Sequence, residues 1–461
     1  MKKLVSVLLA LVFALGGAAA AFAAETPADF TPVLRFIAAS DTHILANSYE
    51  NDERIGRMLR LAYGVSDADA DYNGLDAFLV VGDLTDDGTK EEFDRFAAAV
   101  NGSIREGTRF LGVVAKNHDG YKLSRKELRA YYTEVTGNDP DFNVVIGGCH
   151  FIGMSASAND AEHYDAGQLK WLKAQLDAAV AEDPDRPIFF MHHEPVRNTV
   201  YGSSLYDGWG ITRFTSLLQQ YPQVVDFSGH SHYPLNDPRS IWQGVFTAIN
   251  TGAIKYSEFT VEGRRVYHPA DSYDTATCWI VELDASHNMR LRGYDVNAGA
   301  ALCEAYLPNP ADPVNRDYMP KKRKAASLPP VFADNASLAV ETFAGGCTVT
   351  APVAASADGM PVVLYRAYAK NVVGMKVLKT WILPCYYRAV EQNTVELKLD
   401  GLLPGDYTVG VIAENAYGGG SQPLETAVHI EKFGEIDSFF ARIAAWFSGL
   451  WALFVNCFLN R

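Results

Sequence analysis

The stretch VLRFIAASDTH, residues 33–43, sets the expected fold, because a short apolar run leads directly into Asp41-Thr42-His43. Four similar junctions follow along the chain. They are AFLVV before Gly82-Asp83, RFLGVVA before Asn117-His118-Asp119, PIFFM before His192-His193, and VVDFS before Gly229-His230-Ser231-His232. Open α/β sheets gather their ligand sites at the carboxyl ends of strands. The five segments therefore predict one shared site at a sheet edge.

Helical patterns alternate with these strands over residues 30–305, as at 52–63, 90–100 and 165–182. Such alternation predicts a layered α/β domain. The later runs GVFTAINTG, TATCWIVELD and MRLRGYDV read as strands without helices between them. We therefore expect mixed β-sheets, or a two-sheet sandwich, flanked by helices.

The chain changes character after this domain. Clustered prolines and a KKRK run predict a solvated linker over residues 306–330. Alternating apolar runs separated by Gly and Pro turns then predict an all-β sandwich over residues 331–432. Within it, GLLPGDYTVGVIAENAYGGGSQPL resembles the late strands of an immunoglobulin-like fibronectin type III module. A plain sandwich spacer is the alternative.

The two ends of the chain bear on its location. Lys2 and Lys3 precede an apolar run that ends in Ala21-Phe22-Ala23, which predicts a signal peptide over residues 1–23 and a secreted, extracellular protein. Residues 438–461 are apolar and aromatic, and they predict an amphipathic helix that associates with a membrane or cell surface, with a spanning helix as the alternative.

Composition narrows the function. The formal net charge is −15 and no long Lys/Arg run occurs, so binding to a nucleic-acid backbone is not expected. Bound metals would still let an acidic protein hold a small phosphate ester. The six cysteines include no C-x-x-C pair. Cys347 and Cys385 either pair in an oxidising compartment or remain two free thiols.

The side chains of the five segments suit a metal centre. Asp41 and His43 are two residues apart, so on an extended backbone both point the same way, and the same holds for His230 and His232. Carboxylate and imidazole ligands favour Zn²⁺, Mn²⁺ or iron. Asp83 follows a glycine that permits a tight turn, and its carboxylate could bridge two ions.

The order D-x-H, G-D, N-H-D, H-H and G-H-x-H, over residues 41–232, resembles the calcineurin-like metallophosphoesterase family. The resemblance implies two metal ions and in-line attack of a metal-bridging hydroxide on a phosphate mono- or diester. It implies that His118 protonates the leaving group while Asp119 orients it. The metal ligands it implies are Asp41, His43, Asp83 and His232 for one ion, and Asp83, Asn117, His192 and His230 for the other.

Two departures from the family pattern stand out. Lys116 occupies a position where the family carries glycine, so it is strained, available to bind phosphate, or simply directed to the surface. His193, rather than His192, becomes the ligand if the fourth motif is aligned on H-x-P. A tyrosine that would ligate ferric iron after Gly82-Asp83, as in purple acid phosphatases, is replaced by Leu84-Thr85-Asp86.

The loop NTVYGSSLYDGWG supplies candidate substrate contacts, namely Tyr201, Tyr206 and Trp209, although it could equally pack on itself. The sequence thus predicts a secreted or surface-held, metal-dependent phosphoesterase. Two alternatives remain open: a surface-binding protein with a catalytically silent phosphoesterase domain, and a nucleotidase-like extracellular hydrolase.

Overall fold

The computed structural model describes residues 20–21, 25–157, 162–261 and 264–431. These residues form two compact units. The first runs to Ala326 and includes Tyr387–Ala389, and the second comprises Ser327–Tyr386 and the chain from Val390 onward.

The first sheet of the first unit has seven strands. The second to fourth strands of the chain are parallel, the next three pairings are antiparallel, and the two-residue strand at the far edge pairs in parallel. In spatial order they are β1 (Ala20–Ala21), β15 (Ala300–Leu307), β14 (Met289–Asp295), β13 (Thr277–Asp284), β2 (Pro32–Ala39), β3 (Ala77–Val81) and β4 (Arg109–Val113).

The second sheet has six strands, with a parallel centre and an antiparallel strand at each edge. In spatial order they are β5 (Asp141–Ile146), β6 (Cys149–Met154), β7 (Ile188–Met191), β8 (Val224–Ser228), β10 (Thr247–Asn250) and β9 (Ile241–Gln243). A separate hairpin joins β11 (Phe259–Val261) to β12 (Arg264–Tyr267).

Helices cover the outer face of each sheet. Glu50–Asp67, Lys90–Asn101 and Arg125–Thr136 supply apolar residues to the core outside the first sheet. Ala166–Glu182 and Thr215–Leu218 do the same for the second sheet. Short 3₁₀ turns occupy His118–Gly120 and Ser272–Asp274.

The two sheets pack face to face through a third apolar core. At its centre the ring of Phe36 on β2 meets those of Phe151, Phe189 and Phe227 edge to face, with centroids 4.9–5.9 Å apart. Aromatic pairs favour this arrangement over face-to-face stacking. The predicted layered α/β sandwich with mixed sheets is confirmed.

Capping boxes set the start of three helices. In each, the N-cap side chain accepts from the third helical N–H while that residue's side chain accepts from the N-cap N–H. The pairs are Thr89 with Glu92, Ser124 with Glu127, and Asp165 with Gln168. The helix that begins after Ser124 was not predicted, although the pattern Ser-x-x-Glu marks it in the sequence.

The segment 306–330, predicted as a solvated linker, is instead packed against the first unit as far as Ala326. Arg316 is buried and donates to Thr247 Oγ1, at 2.9 Å, and to two backbone carbonyls. Tyr318 is also buried, and its N–H donates to Gln243 Oε1 at 3.0 Å. A helix, Pro320–Ala326, holds the basic run. Composition alone predicts a linker here because prolines and charges dominate the segment, and it does not show that Arg316 and Tyr318 are buried.

The second unit contains two antiparallel sheets. One has β16 (Ala339–Phe343), β17 (Gly346–Pro352) and β20 (Thr394–Asp400), and the other has β19 (Lys376–Ile382), β18 (Val362–Asn371), β21 (Gly405–Asn415) and β22 (Leu424–Ile430). Inward side chains of both sheets share one apolar core. The all-β character is confirmed, whereas the fibronectin type III assignment stays a prediction.

Cys347 and Cys385 are not joined by a disulfide in this structure. No helix within the described ranges is both long and apolar enough to cross a bilayer. The predicted C-terminal helix at 438–461 lies outside the described residues, as does the predicted signal peptide apart from Ala20–Ala21, so both stay predictions.

Candidate metal centre

The predicted site residues meet where strands of both sheets end. Asp41, Asp83 and Asn117 follow β2, β3 and β4 of the first sheet. His193 and His230 follow β7 and β8 of the second sheet. Because the sheets pack face to face, the side chains that leave these strand ends converge from two sides.

The backbone turns sharply at these positions. Eight non-glycine residues in the described ranges have positive φ, and five of them carry site side chains. These five are Asp41 (54°), His43 (43°), Asp83 (48°), His230 (69°) and His232 (54°). Such conformations cost about 1–3 kcal/mol each and persist where the surrounding structure imposes them. The fold therefore holds these side chains in fixed, strained directions.

Asp41, His43 and His232 form the first cluster of ligand atoms. One ligand atom from each lies within 4.8 Å of the others. The Nε2 atoms of His43 and His232 face each other at 3.1 Å, and Asp41 Oδ1 is 3.1 Å from His232 Nε2. Three buried donor atoms that point at one another suit a shared cation.

Asp83, His193 and His230 form the second cluster, again with ligand atoms within 4.8 Å. His193 Nε2 lies 3.1 Å from Asp83 Oδ2. The same carboxylate oxygen is 3.8 Å from His43 Nε2 in the first cluster. Asp83 therefore lies between the clusters, as its predicted bridging role requires.

His192 does not join either cluster, which corrects the predicted ligand set in favour of His193. Its Nε2 lies 2.9 Å from Asp226 Oδ1, without the alignment of a hydrogen bond. Its ring packs on Phe190 and Phe214 at 5.0 and 4.6 Å. Side chains alternate between faces along a strand. Phe189 and Met191 face the core between the sheets and Phe190 faces the helices, so His193 turns inward and His192 outward.

Unpartnered polar atoms test whether these residues fit a metal. Asp41 Oδ1, Asp83 Oδ1, Asn117 Oδ1 and His193 Nε2 are all buried without a hydrogen-bond partner. Asn117 Nδ2 is 3.0 Å from Asp83 Oδ2, which keeps the amide at the second cluster. Buried polar atoms normally have partners, so four unpaired polar atoms gathered at one point suit the binding of a cation. The donor set fits.

Electrostatics keep the ligand carboxylates in their charged form. Burial alone would raise the pKa of Asp41, but the neighbouring His232 and His43 hold that pKa well below its usual value. Burial likewise opposes charge on His193, yet the Asp83 carboxylate raises the pKa of that imidazole well above normal. The anionic carboxylates already have the form that a metal requires, whereas the His193 imidazole would release its proton when a metal binds.

Outer hydrogen bonds orient the imidazoles. His193 Nδ1–H donates to Val81 O at 2.9 Å, and His232 Nδ1–H donates to Tyr256 O at 3.2 Å. His43 Nδ1 is 3.0 Å from Asp86 Oδ1. Such partners fix the tautomer and leave Nε2 for the metal. Asp86 was missed by the sequence argument, although it stands three residues after Asp83.

Asp86 also orients His118, a role that the sequence argument gave to Asp119. His118 Nδ1–H donates to Asp86 O at 2.6 Å, and its ring packs edge to face on His43 at 4.3 Å. Asp119 is buried and instead accepts from Thr85 and from the Ala115 N–H, all at 2.9 Å. Burial and the Asp83 charge raise the pKa of Asp119 to about 7. Asp119 therefore braces the loops around His118 rather than the imidazole itself.

Comparison with known proteins agrees with this geometry. Residues 34–234 match the family model described as Calcineurin-like phosphoesterase. The first unit contains a calcineurin-like phosphoesterase domain. The chain is 26% identical over 166 residues to a probable glycerophosphodiester phosphodiesterase, GpdQ, from Arcobacter nitrofigilis. That match covers 34% of this chain and 56% of the relative, so the chain spans little more than half of the relative's length.

Solved structures with similar topology were also found. One is purple acid phosphatase PPD1 from yellow lupin, with 14% identity and a TM-score of 0.42, covering 60% of this chain and 54% of that one. Another is phosphopantetheinyl hydrolase from Mycobacterium tuberculosis, with 14% identity and a TM-score of 0.29, covering 47% of this chain and 89% of that one.

A loop after β10 completes the phosphoesterase domain's site and was not predicted. Lys255 forms an ion pair with Asp86, and the ring of Tyr256 stacks on His232 with centroids 4.1 Å apart. Arg54, from the helix Glu50–Asp67, donates to the carbonyls of Ile254 and Lys255 and so fixes this loop. The loop follows the predicted strand GVFTAINTG, and this position after a strand end is the sequence feature that could have placed it at the site.

The three aromatic residues predicted to contact substrate lie in different surroundings. Trp209 packs edge to face on His230 at 5.1 Å, and its buried indole N–H has no hydrogen-bond partner. Tyr206 is exposed. Tyr201 is held elsewhere, which corrects the prediction, because its ring packs between Tyr233 and Arg239 and its hydroxyl donates to Thr260 O at 3.2 Å.

Lys116 is not strained, since it is absent from the residues with positive φ. Its carbonyl accepts from Arg125 Nη2 at 2.9 Å, which anchors this part of the loop. The predicted use of its ammonium group in phosphate binding stays a prediction.

Proposed function

We propose that the phosphoesterase domain hydrolyses small phosphate esters with two metal ions held side by side. The observation that carries this proposal is the pair of ligand clusters, each within 4.8 Å, with Asp83 lying between them. A single-ion site would not need two groups of carboxylate and imidazole ligands; a third group of possible ligands, His43, Asp86 and His118, shares His43 with the first.

Each ion would have four protein ligands. Both ions share Asp83, and the remaining ligands come from both sheets. Asp41, His43 and His232 would complete one set, and Asn117, His193 and His230 would complete the other. When bound, two such ions neutralise phosphoryl charge and activate an attacking water. Mixed imidazole and carboxylate ligands favour Zn²⁺, Mn²⁺ or iron over Mg²⁺ or Ca²⁺.

His118 is placed to move a proton to the leaving group. Its Nδ1–H is committed to the Asp86 carbonyl, so Nε2 is the atom that exchanges protons. Its side chain is 28% exposed, whereas that of His43 is fully buried. Contact with His43 keeps the His118 imidazole beside the first cluster while solvent access lets it regain its proton.

The first experiment measures metal content and hydrolysis of aryl phosphate mono- and diesters. We expect about two metal equivalents in the parent. His118→Gln should keep the metal and lose about 10²–10⁴-fold in turnover. His429→Gln, at an exposed histidine of the second unit, is the matched control. A parent without bound metal, or a His118→Gln variant with parental turnover, would contradict the proposal.

Two classes of substrate, diesters and nucleotides, are candidates. The curated relative is named as a glycerophosphodiester phosphodiesterase, so a diester is the first substrate to test. The nucleotidase-like alternative draws support from exposed rings beside the site, because Tyr121 packs on His118 and Tyr273 on Tyr256. Such rings can stack on a base. Comparing kcat/KM for glycerol diesters and nucleotides separates the two.

Trp209 provides a second probe of substrate binding. Trp209→Phe keeps the aromatic contact with His230 but removes the unpartnered N–H. If that N–H donates to the phosphate, KM should rise several-fold with kcat little changed. An unchanged KM would assign Trp209 to packing alone.

A surface-binding protein with a catalytically silent phosphoesterase domain is the alternative that a strained Lys116 would favour, and Lys116 is unstrained. We further propose that the enzyme acts outside the cytoplasm, which rests on the apolar N-terminal run. N-terminal sequencing of the exported protein should find a start near Ala24. Retention of Met1 in a cytoplasmic fraction would contradict export.

A further inference from the structure

A hairpin tip in the second unit exposes several large apolar side chains together. The turn between β18 and β19 carries Val372, Val373 and Met375, which are 81%, 76% and 62% exposed. Val372 is the most exposed large hydrophobic residue within the described ranges. Clustered exposure of this kind marks an interaction surface, whereas isolated exposed residues need no explanation.

The tip is ordered rather than collapsed. Asn371 Oδ1 accepts from the N–H groups of Val373 and Met375 at 3.2 and 3.0 Å. The Asn371 N–H donates to Met375 O at 2.9 Å, and Gly374 supplies the φ of 80° that the turn needs. The backbone is therefore satisfied within the tip, and the apolar side chains are held outward.

Other features lie at the same end of this sheet. Strand pairing sets Asn371 beside Tyr407 and Gly405 beside Ile430. The loop before β21 carries Leu403, which is also exposed, and the chain leaves β22 at Ile430. The apolar sequence 438–461 follows a few residues later. Leu328, near the start of the unit, is bonded to Asn415 at the opposite end of the sheet.

Basic side chains adjoin the tip. Lys376 and Lys379 on β19 are exposed, and the Lys376 ammonium lies 4.1 Å from the ring centre of Tyr368. Lys370 is paired with Glu425, and Asp406 with His429, so these acids face partners of their own. Apolar side chains flanked by lysines are the combination that binds anionic lipid surfaces.

We propose that this tip, residues 372–375 with Leu403, Lys376 and Lys379, docks the protein on an anionic lipid surface. The tip is convex, and its four apolar side chains fall well short of the ~800 Å² per partner of a stable protein interface. A lipid headgroup layer accepts such a protrusion without a matching groove.

Vesicle flotation of the full chain tests the proposal. The parent should float with vesicles of phosphatidylcholine and phosphatidylglycerol in equal parts. Val372→Ser with Val373→Ser should lower the partition coefficient about tenfold, because two apolar side chains no longer enter the interface. The matched control is Val314→Ser with Val331→Ser, at sites 78% and 60% exposed, and it should stay within about twofold of the parent.

Charge is tested separately. Lys376→Gln with Lys379→Gln should lower partition on the mixed vesicles several-fold and leave partition on pure phosphatidylcholine unchanged. The urea unfolding transitions of all of these variants should match those of the parent, which confirms that the second unit is folded.

Three results would overturn the proposal. The parent could fail to float with the mixed vesicles. The double serine variant at 372 and 373 could float as the parent does, which would leave the tip without a lipid role. Light scattering could instead show a parental dimer that the serine variant loses, which would assign the tip to a second copy of the chain.

Discussion

Replacing His193 and His192 separately should give opposite results, although the two residues are adjacent. His193→Ala removes a buried ligand whose Nε2 lies 3.1 Å from the shared Asp83 carboxylate. Loss of partners outside the ligand shell already costs about 10–100-fold in metal affinity. We therefore expect His193→Ala to lose at least about 100-fold in affinity for one ion and most of its activity.

His192→Ala should keep the metals and lose stability. His192 Nε2 and Asp226 Oδ1 are 2.9 Å apart, and both side chains are fully buried. The His192 ring also packs on Phe190 and Phe214, and truncating a large buried side chain to alanine costs about 2–5 kcal/mol. Breaking a buried pair and leaving one member unpaired costs about 3–5 kcal/mol. His192→Ala should lower the free energy of unfolding by that amount, and removing Asp226 as well should recover part of it.

Metal titration by calorimetry and urea unfolding of both variants provide the assay. We expect opposite outcomes: His193→Ala should lose metal with a modest change in stability, and His192→Ala should keep metal and lose stability. A His192→Ala variant that lacks one metal equivalent while His193→Ala keeps both would refute the assignment of the ligand.

Three further predictions concern the surroundings of the site and the fold. Asp86→Asn should weaken metal binding about 10–100-fold because Asp86 orients His43, while Asp87→Asn, at an exposed neighbour, should leave a metal titration unchanged. Gly82→Ala should abolish activity in an aryl phosphate assay, because at a φ of 94° the added Cβ would meet His193 Nδ1 at 2.5 Å. Gly107 has a φ of 93° but open space around it, so Gly107→Ala should keep its activity. An equal loss of activity in both variants would count against the steric argument. Burial would raise the pKa of Glu282, but Arg292, Arg290 and Arg35 hold it below its ordinary value, so its stabilisation is present above about pH 4 and is lost as the pH falls through the lowered pKa. Glu282→Gln should therefore cost about 3 kcal/mol in urea unfolding at pH 7 and progressively less in acid, and a cost independent of pH would contradict this sign.

Much of the phosphoesterase domain could be read from residue patterns. Each apolar run that ended in a polar motif became a strand with a ligand at its carboxyl end, as Asp41 and Asp83 illustrate. Helices such as Ala166–Glu182 followed from their apolar spacing. The segment 306–330 could not be read in this way, because one buried arginine and one buried tyrosine among prolines outweigh the composition.

Sequence by itself determined which chemical groups are available and the strand ends at which they stand. Only the tertiary structure decided which side chains face one another. Strand β7 is buried on both faces, so its apolar residues carry no alternation that would tell His192 from His193. Asp86 and Lys255, 169 residues apart, meet only because two strand-end loops converge. Ligand identity depends on which side of a strand faces the gap between the sheets, and sheet packing alone fixes that side.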